Sequence, residues 1–165
     1  MKPDDATSRF HTMGVVPEPA EPLNERYWYV EGAEARPIGL PVDEFWSQVM
    51  SGAPTDPFVA HVVEADGWLV TQYDVEGGAG HEEMHPEGDE LHYLVSGDLD
   101  VVLVSDDDTE HVITMRPGSM ANVPRGVWHR IEARAPSRGI AFTAGRGTRH
   151  RPTGSGADPE PPSAP

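Results

Sequence analysis

The sequence predicts an all-β domain, an antiparallel jelly roll of about eight strands with one short helix at its periphery. Three observations carry that expectation. After Pro57, apolar and β-branched segments are separated at short intervals by glycine, proline, serine and aspartate turn signals, which is the pattern of a sandwich or barrel. Helical periodicity before that point is confined to residues 42–50. The chain has 165 residues and no internal repeat, which suits one domain with a core large enough to fold without staples.

Taken in order, residues 1–25 are polar and rich in proline (Pro3, Pro17, Pro19, Pro22), and cannot bury enough apolar surface to offset their ordering entropy, so a disordered segment is expected. Tyr27-Trp28-Tyr29-Val30 has the aromatic content of a strand that docks on the body. Residues 42–50 place Val42, Phe45, Trp46 and Val49 on one helical face, with Asp43 and Glu44 in the first turn. Residues 58–64 and 68–75 flank Ala65-Asp66-Gly67 and read as a hairpin, because glycine accepts positive φ. Further strands are expected at 90–95, 99–104, 111–115, 119–123, 127–133 and 139–143. The domain is expected to span 26–147, and 148–165, which ends in a Pro/Gly/Ser/Ala stretch, to be a disordered tail.

Composition narrows the partners. The formal charge of -16, from 28 acidic against 12 basic residues, repels the phosphate backbone that dominates nucleic-acid affinity, so no nucleic acid is expected. No run of about 18 apolar residues is available for a membrane span, and Met1-Lys2-Pro3-Asp4-Asp5 lacks the apolar region of a secretion signal. A soluble, cytoplasmic protein without a membrane partner is the expectation. With no cysteine, a bound metal must use imidazole and carboxylate ligands.

Side chains alternate across a strand, so Glu83 and His85 share one face, as do Glu90 and His92 on the next strand. In 127–133 the same parity puts Val127, His129 and Ile131 together, which sets His129 among core positions. A lone histidine there would be an ordinary hydrogen-bonded core residue. The surrounding spacing changes that reading: the chain carries Gly77-x5-Glu83-x-His85-x4-Glu90-x6-Gly97 and then Gly118-x5-Pro124-x-Gly126-x2-His129.

These paired stretches resemble the two motifs of the cupin superfamily, strongly from Glu76 to Arg130. The resemblance implies a double-stranded β-helix, or jelly-roll barrel, with one divalent metal ion held inside by His85, Glu90 and His129. It departs from the family where the first motif usually has His-x-His, since Glu83-Met84-His85 puts a carboxylate in the first ligand position. Three roles are open to Glu83: a fourth metal ligand, a bystander beside a His85/Glu90/His129 facial triad, or a catalytic general base next to an open coordination position. His81 is expected at the rim. His92 is expected to orient a ligand by a hydrogen bond, while Tyr93 and Trp128, of opposite parity, are expected on the outer sheet face or at a subunit contact.

Two imidazoles with one or two carboxylates and no sulfur suit Fe(II), Mn(II), Ni(II) or Zn(II). The resemblance implies Fe(II) and an oxygen-dependent cleavage of a small organic substrate, a dioxygenase-like oxidoreductase. A non-oxidative isomerase, lyase or cyclase, and a non-catalytic metal- or ligand-binding protein, are the alternatives, because the fold hosts all of them. The aromatic segment at 27–30 suggests a homodimer through strand addition. The basic island Gly145-Arg146-Gly147-Thr148-Arg149-His150-Arg151 is expected to pair with acidic loops, with an anion site as the other possibility, and Asp106-Asp107-Asp108 to form a solvated turn.

Overall fold

The structure, a computed structural model, describes residues 20–78 and 80–153. The expected disorder of 1–25 and 148–165 therefore falls largely outside the described residues. Strands β1 (Trp28–Glu31) and β2 (Glu34–Pro37) form a hairpin, followed by helices α1 (Val42–Met50) and α2 (Pro57–Glu64). The remaining elements are β3 (Trp68–Gly78), β4 (His81–Met84), β5 (Glu90–Val104), β6 (Glu110–Met115), β7 (Met120–Val123), β8 (Trp128–Thr143) and β9 (Arg149–Pro152).

The expected all-β jelly roll is what forms, with every strand pair antiparallel. Two long strands organise it. β8 lies between β3 and β5, while β5 pairs along its other edge with β7 near Glu90 and with β6 near Val104. Segments expected as separate strands at 90–95 and 99–104, and at 127–133 and 139–143, are continuous here. They bend rather than break, through register shifts between Leu94 and Leu99 opposite 133–139, as β-bulges allow. Gly97 makes the bend possible. Its φ is +99°, and a Cβ there would meet the Pro136 carbonyl oxygen at 2.5 Å and the Ser137 Cα at 2.6 Å.

Two expectations are corrected. Residues 58–64 are not a strand but α2, so the helical part has two members rather than one and Asp66-Gly67 joins a helix to β3. The cause is local. The Asp56 carboxylate accepts hydrogen bonds from the Phe58 and Val59 amides at 2.8 and 3.0 Å, and Pro57 opens the first turn. That start outweighs the β-branched content, and Val59 and Val62 then share one buried face. The tail does not begin at 148, because Arg149–Pro152 pairs residue for residue with His81–Met84. The four-pair ladder of the polar β2 with β1 had no signal in the sequence either, and on the N-terminal side Glu25 donates its amide to the Pro22 carbonyl at 3.0 Å.

Apolar burial falls into a barrel core around Leu94, Leu99, Val101, Met115, Ala121 and Val123 and a second cluster of Tyr27, Tyr29, Ile38, Phe45, Val59 and Val62. The second cluster ties α1 and α2 to the N-terminal hairpin and sets the helices across the mouth of the barrel. Edge-to-face rings reinforce it, Tyr27 with Phe45 at 5.8 Å and Tyr29 with Phe58 at 6.1 Å. No helix among the described residues is long and apolar enough to cross a membrane.

Candidate metal centre

Glu83, His85, Glu90 and His129 each offer one ligand atom, and these atoms all lie within 4.8 Å of one another. The topology explains the convergence. β8 lies beside β5 over the stretch that pairs Leu103 with His129 and beside β4 at the Glu83–His129 pair, while Glu90 opens β5. His85 follows β4, where its carbonyl accepts the Gly126 amide at 2.8 Å and so ties the first motif to the second. His85, Glu90 and His129 are buried; the Glu83 side chain is 33% exposed.

Glu90 is the hub. Its Oε2 lies 2.7 Å from His129 Nε2, 3.0 Å from His92 Nε2 and 3.3 Å from His85 Nε2, and its Oε1 accepts the Thr143 hydroxyl at 2.6 Å. Burial pushes the Glu90 carboxyl up, but the hydrogen bonds from the imidazoles outweigh it and hold the group well below its ordinary value. Burial pushes His129 down, and the hydrogen bond and charge of Glu90, with the charge of Glu83, turn the net shift upward. His129 Nε2 lies 3.7 Å from Glu83 Oε1.

The hydrogen bonds fix which nitrogen is free. Thr148 has one hydroxyl proton, donated to the Gly145 carbonyl at 2.7 Å, so His85 Nδ1 is the donor to Thr148 Oγ1 at 2.8 Å. His85 Nε2 then presents a lone pair. It is buried, without a hydrogen-bond partner, because the 3.3 Å approach to Glu90 lies outside hydrogen-bond geometry. A buried unpaired nitrogen beside two carboxylates and a second imidazole is a donor set that fits a divalent ion. Such an ion competes with the proton on the Glu90–His129 contact, which couples its binding to proton release.

His92 reaches the cluster only through its hydrogen bond to Glu90 and is not one of the four residues that converge there. His81 is exposed, its ring 5.7 Å from that of His150, and burial, opposed by Glu83, lowers the His150 pKa from its ordinary value. Trp128 lies on the other face of β8 among Met84, Val102 and Val104, under the guanidinium of Arg151 at 4.3 Å.

Two contributors escaped the sequence reading. Thr148 carried no motif signal, although it supports a ligand. Glu82, opposite in parity to the ligand face, is buried and accepts Arg151 Nε at 2.7 Å and Arg130 Nη1 at 3.2 Å. This ion pair fastens β9 to the outside of β4.

A cavity of about 260 Å³ leads from the ligand cluster to the helices. Its walls include Phe45, Trp46 and Val49 of α1, Val62 of α2 and Leu69 of β3, with Tyr73 and His92 among the lining groups. Gly139, opposite Tyr73 in register, makes room for that ring, since a Cβ there would lie 2.2 Å from Tyr73 Cζ and Oη. Burial, with the charge of Glu90, pushes the Tyr73 phenol well above its ordinary pKa, so it stays protonated.

None of the curated proteins matches the chain. Among solved structures, a cupin-2 domain containing protein from Shewanella frigidimarina is 24% identical over 48% of this chain and 72% of its own, with a TM-score of 0.40. A protein from Neisseria meningitidis is 26% identical over 48% and 78%, with a TM-score of 0.38. Hydroquinone 1,2-dioxygenase from Sphingomonas sp. TTNP3 is 20% identical over 48% and 60%, with a TM-score of 0.37. The family described as "Cupin domain" matches residues 70–145, so this stretch, which holds Glu83, His85, Glu90 and His129, is similar to a cupin domain and carries a cluster that fits a metal ion.

Proposed function

We propose that the protein is a metal-dependent cupin enzyme of the dioxygenase type, acting on a small organic molecule bound in the cavity between the ligand cluster and α1. One observation carries the reading: three buried ligands and one partly exposed carboxylate converge at the floor of an apolar cavity. His85, Glu90 and His129 would hold the ion, with Fe(II) the metal of the reading. A bound Fe(II) would supply a redox-active Lewis acid with positions left for exogenous ligands.

The protein's own groups then divide the remaining work. Thr148 keeps His85 in the tautomer that offers Nε2, and His92 and Thr143 hold the Glu90 carboxylate in place. Glu83, the most exposed of the four, is placed to accept a proton from a substrate or to complete the ligand set. The helices over the mouth limit water access.

Elemental analysis of tag-free protein, anaerobic Fe(II) titration and oxygen-uptake screening test the proposal. Expected are one metal per chain, a ligand-induced absorption change of the Fe(II) form, and a Glu83→Gln variant that keeps metal but loses most turnover. Absence of metal binding at micromolar concentrations removes the proposal. A coordinatively saturated ion with no response to added ligands instead favours the non-catalytic metal-binding reading.

A further inference from the structure

We infer that the cavity selects a neutral, single-ring apolar substrate bearing a hydroxyl-like polar group received by Tyr73 and His92, and that it rejects small anions such as dicarboxylates. The inference rests on the enzyme reading for its link to turnover, but the binding selectivity belongs to the cavity alone.

Charge is the first argument. The carboxylate and imidazole side chains lining the cavity are those of Glu83, Glu90, His85, His92 and His150, with no lysine or arginine among the lining residues. A divalent ion beside the Glu83 and Glu90 carboxylates would bring their summed formal charge to zero, so the loaded site offers no excess positive field. An anion entering would leave water without a paired cation, which is costly. The nearby basic island does not repair this. Arg146 is paired with Asp66 and Glu87 at 3.1 and 3.2 Å, and Arg151 is buried against Glu82 on the outer face.

Polar complementarity is the second. Tyr73 Oη and His92 Nδ1 are buried and have no hydrogen-bond partner, and their rings meet edge to face at 5.7 Å. Because His92 Nε2 is committed to Glu90 at 3.0 Å, Nδ1 is the ring nitrogen left for a ligand, while Tyr73 offers a hydroxyl group. Native structures rarely leave two such atoms unsatisfied side by side. A ligand hydroxyl can donate to one and accept from the other.

Size and wall chemistry supply the third. The cavity of about 260 Å³ holds the equivalent of roughly nine waters, which suits one ring with short substituents. Phe45, Trp46, Val49, Val62, Leu69 and Ile131 give that ring an apolar envelope.

The test uses three probes of similar size, 4-fluorophenol, 4-fluorobenzoate and 4-fluorotoluene, followed by fluorine NMR at neutral pH on full-length protein, metal-free and Zn(II)-loaded. Oxalate is added as a competitor. The expected result is 4-fluorophenol binding at least tenfold tighter than 4-fluorobenzoate, with no displacement by oxalate. Tyr73→Phe should weaken 4-fluorophenol about tenfold and leave 4-fluorotoluene unchanged, and Val49→Arg should shift the preference toward 4-fluorobenzoate. The inference is overturned if 4-fluorobenzoate or oxalate binds as tightly as 4-fluorophenol, or if Tyr73→Phe affects phenol and toluene probes alike. Ring selectivity without turnover would remove the enzyme reading alone, whereas turnover of a dicarboxylate would remove this inference alone.

Discussion

Replacing Glu82 by alanine tests whether β9 is held by charge. Glu82 is 2% exposed and Arg151 7% exposed, so the deletion strands a guanidinium in a place water does not reach. Breaking a buried pair costs about 3–5 kcal/mol, chiefly through the charge left behind. Arg130 keeps Glu132 and Glu110 at 2.7 and 2.8 Å, so only Arg151 loses its carboxylate, and the lower end of that range, about 3 kcal/mol, is expected. For a chain of this length each kcal/mol shifts Tm by about 2–4 °C, so Tm of the metal-free protein should fall by about 6–12 °C. Urea denaturation with a double-mutant cycle over Glu82→Leu and Arg151→Met checks the assignment. The double variant should recover most of the loss, because an apolar pair replaces a buried ion pair at little cost. A loss under about 1 kcal/mol for Glu82→Ala, or additive single effects in the cycle, would refute the reasoning.

Other outcomes follow from the site and the bends. Thr148→Val removes the partner that orients His85, and metal affinity measured by competition with a chelator should drop about 10–100-fold, while an unchanged affinity would show that His85 needs no such support. Zn(II) at a hundredfold excess over its dissociation constant should stabilise the fold by about 2.7 kcal/mol, read as a Tm rise of about 5–11 °C that EDTA reverses and His129→Ala abolishes. Gly97→Ala should cost about 3 kcal/mol or more in urea denaturation, because both the positive φ and the neighbouring Pro136–Ser137 backbone oppose a Cβ there; a loss below 1 kcal/mol would mean that the bulge relaxes freely.

The ligand cluster was legible in the sequence because two regularities coincide there. Alternation fixes which side chains share a face, and the glycine and proline spacings resemble the two cupin motifs, a resemblance that implies which strands meet and lets Glu83, His85, Glu90 and His129 be named together. The helix at Pro57–Glu64 was misread because Val59, Val62 and Val63 carry strand propensity, although Asp56-Pro57 was already a helix start. β9 was missed for the opposite reason. Arg149–Pro152 has no apolar pattern at all, and what anchors it is a charged pair between residues 69 positions apart. Thr148 and the cap over the cavity depend likewise on tertiary placement, which neither period nor spacing encodes.

The strand that carries Glu83 is joined to β8 by a single registered pair and to β9 by four. Most of the lateral support for one wall of the ligand cluster thus comes from beyond residue 145, where the family resemblance stops. Trimming the polypeptide to the recognisable domain would leave the first-motif carboxylate and His85 on a nearly unsupported ribbon. The smallest fragment able to grip an ion should therefore reach at least to Pro152, and shorter pieces should fold poorly or lose their cargo.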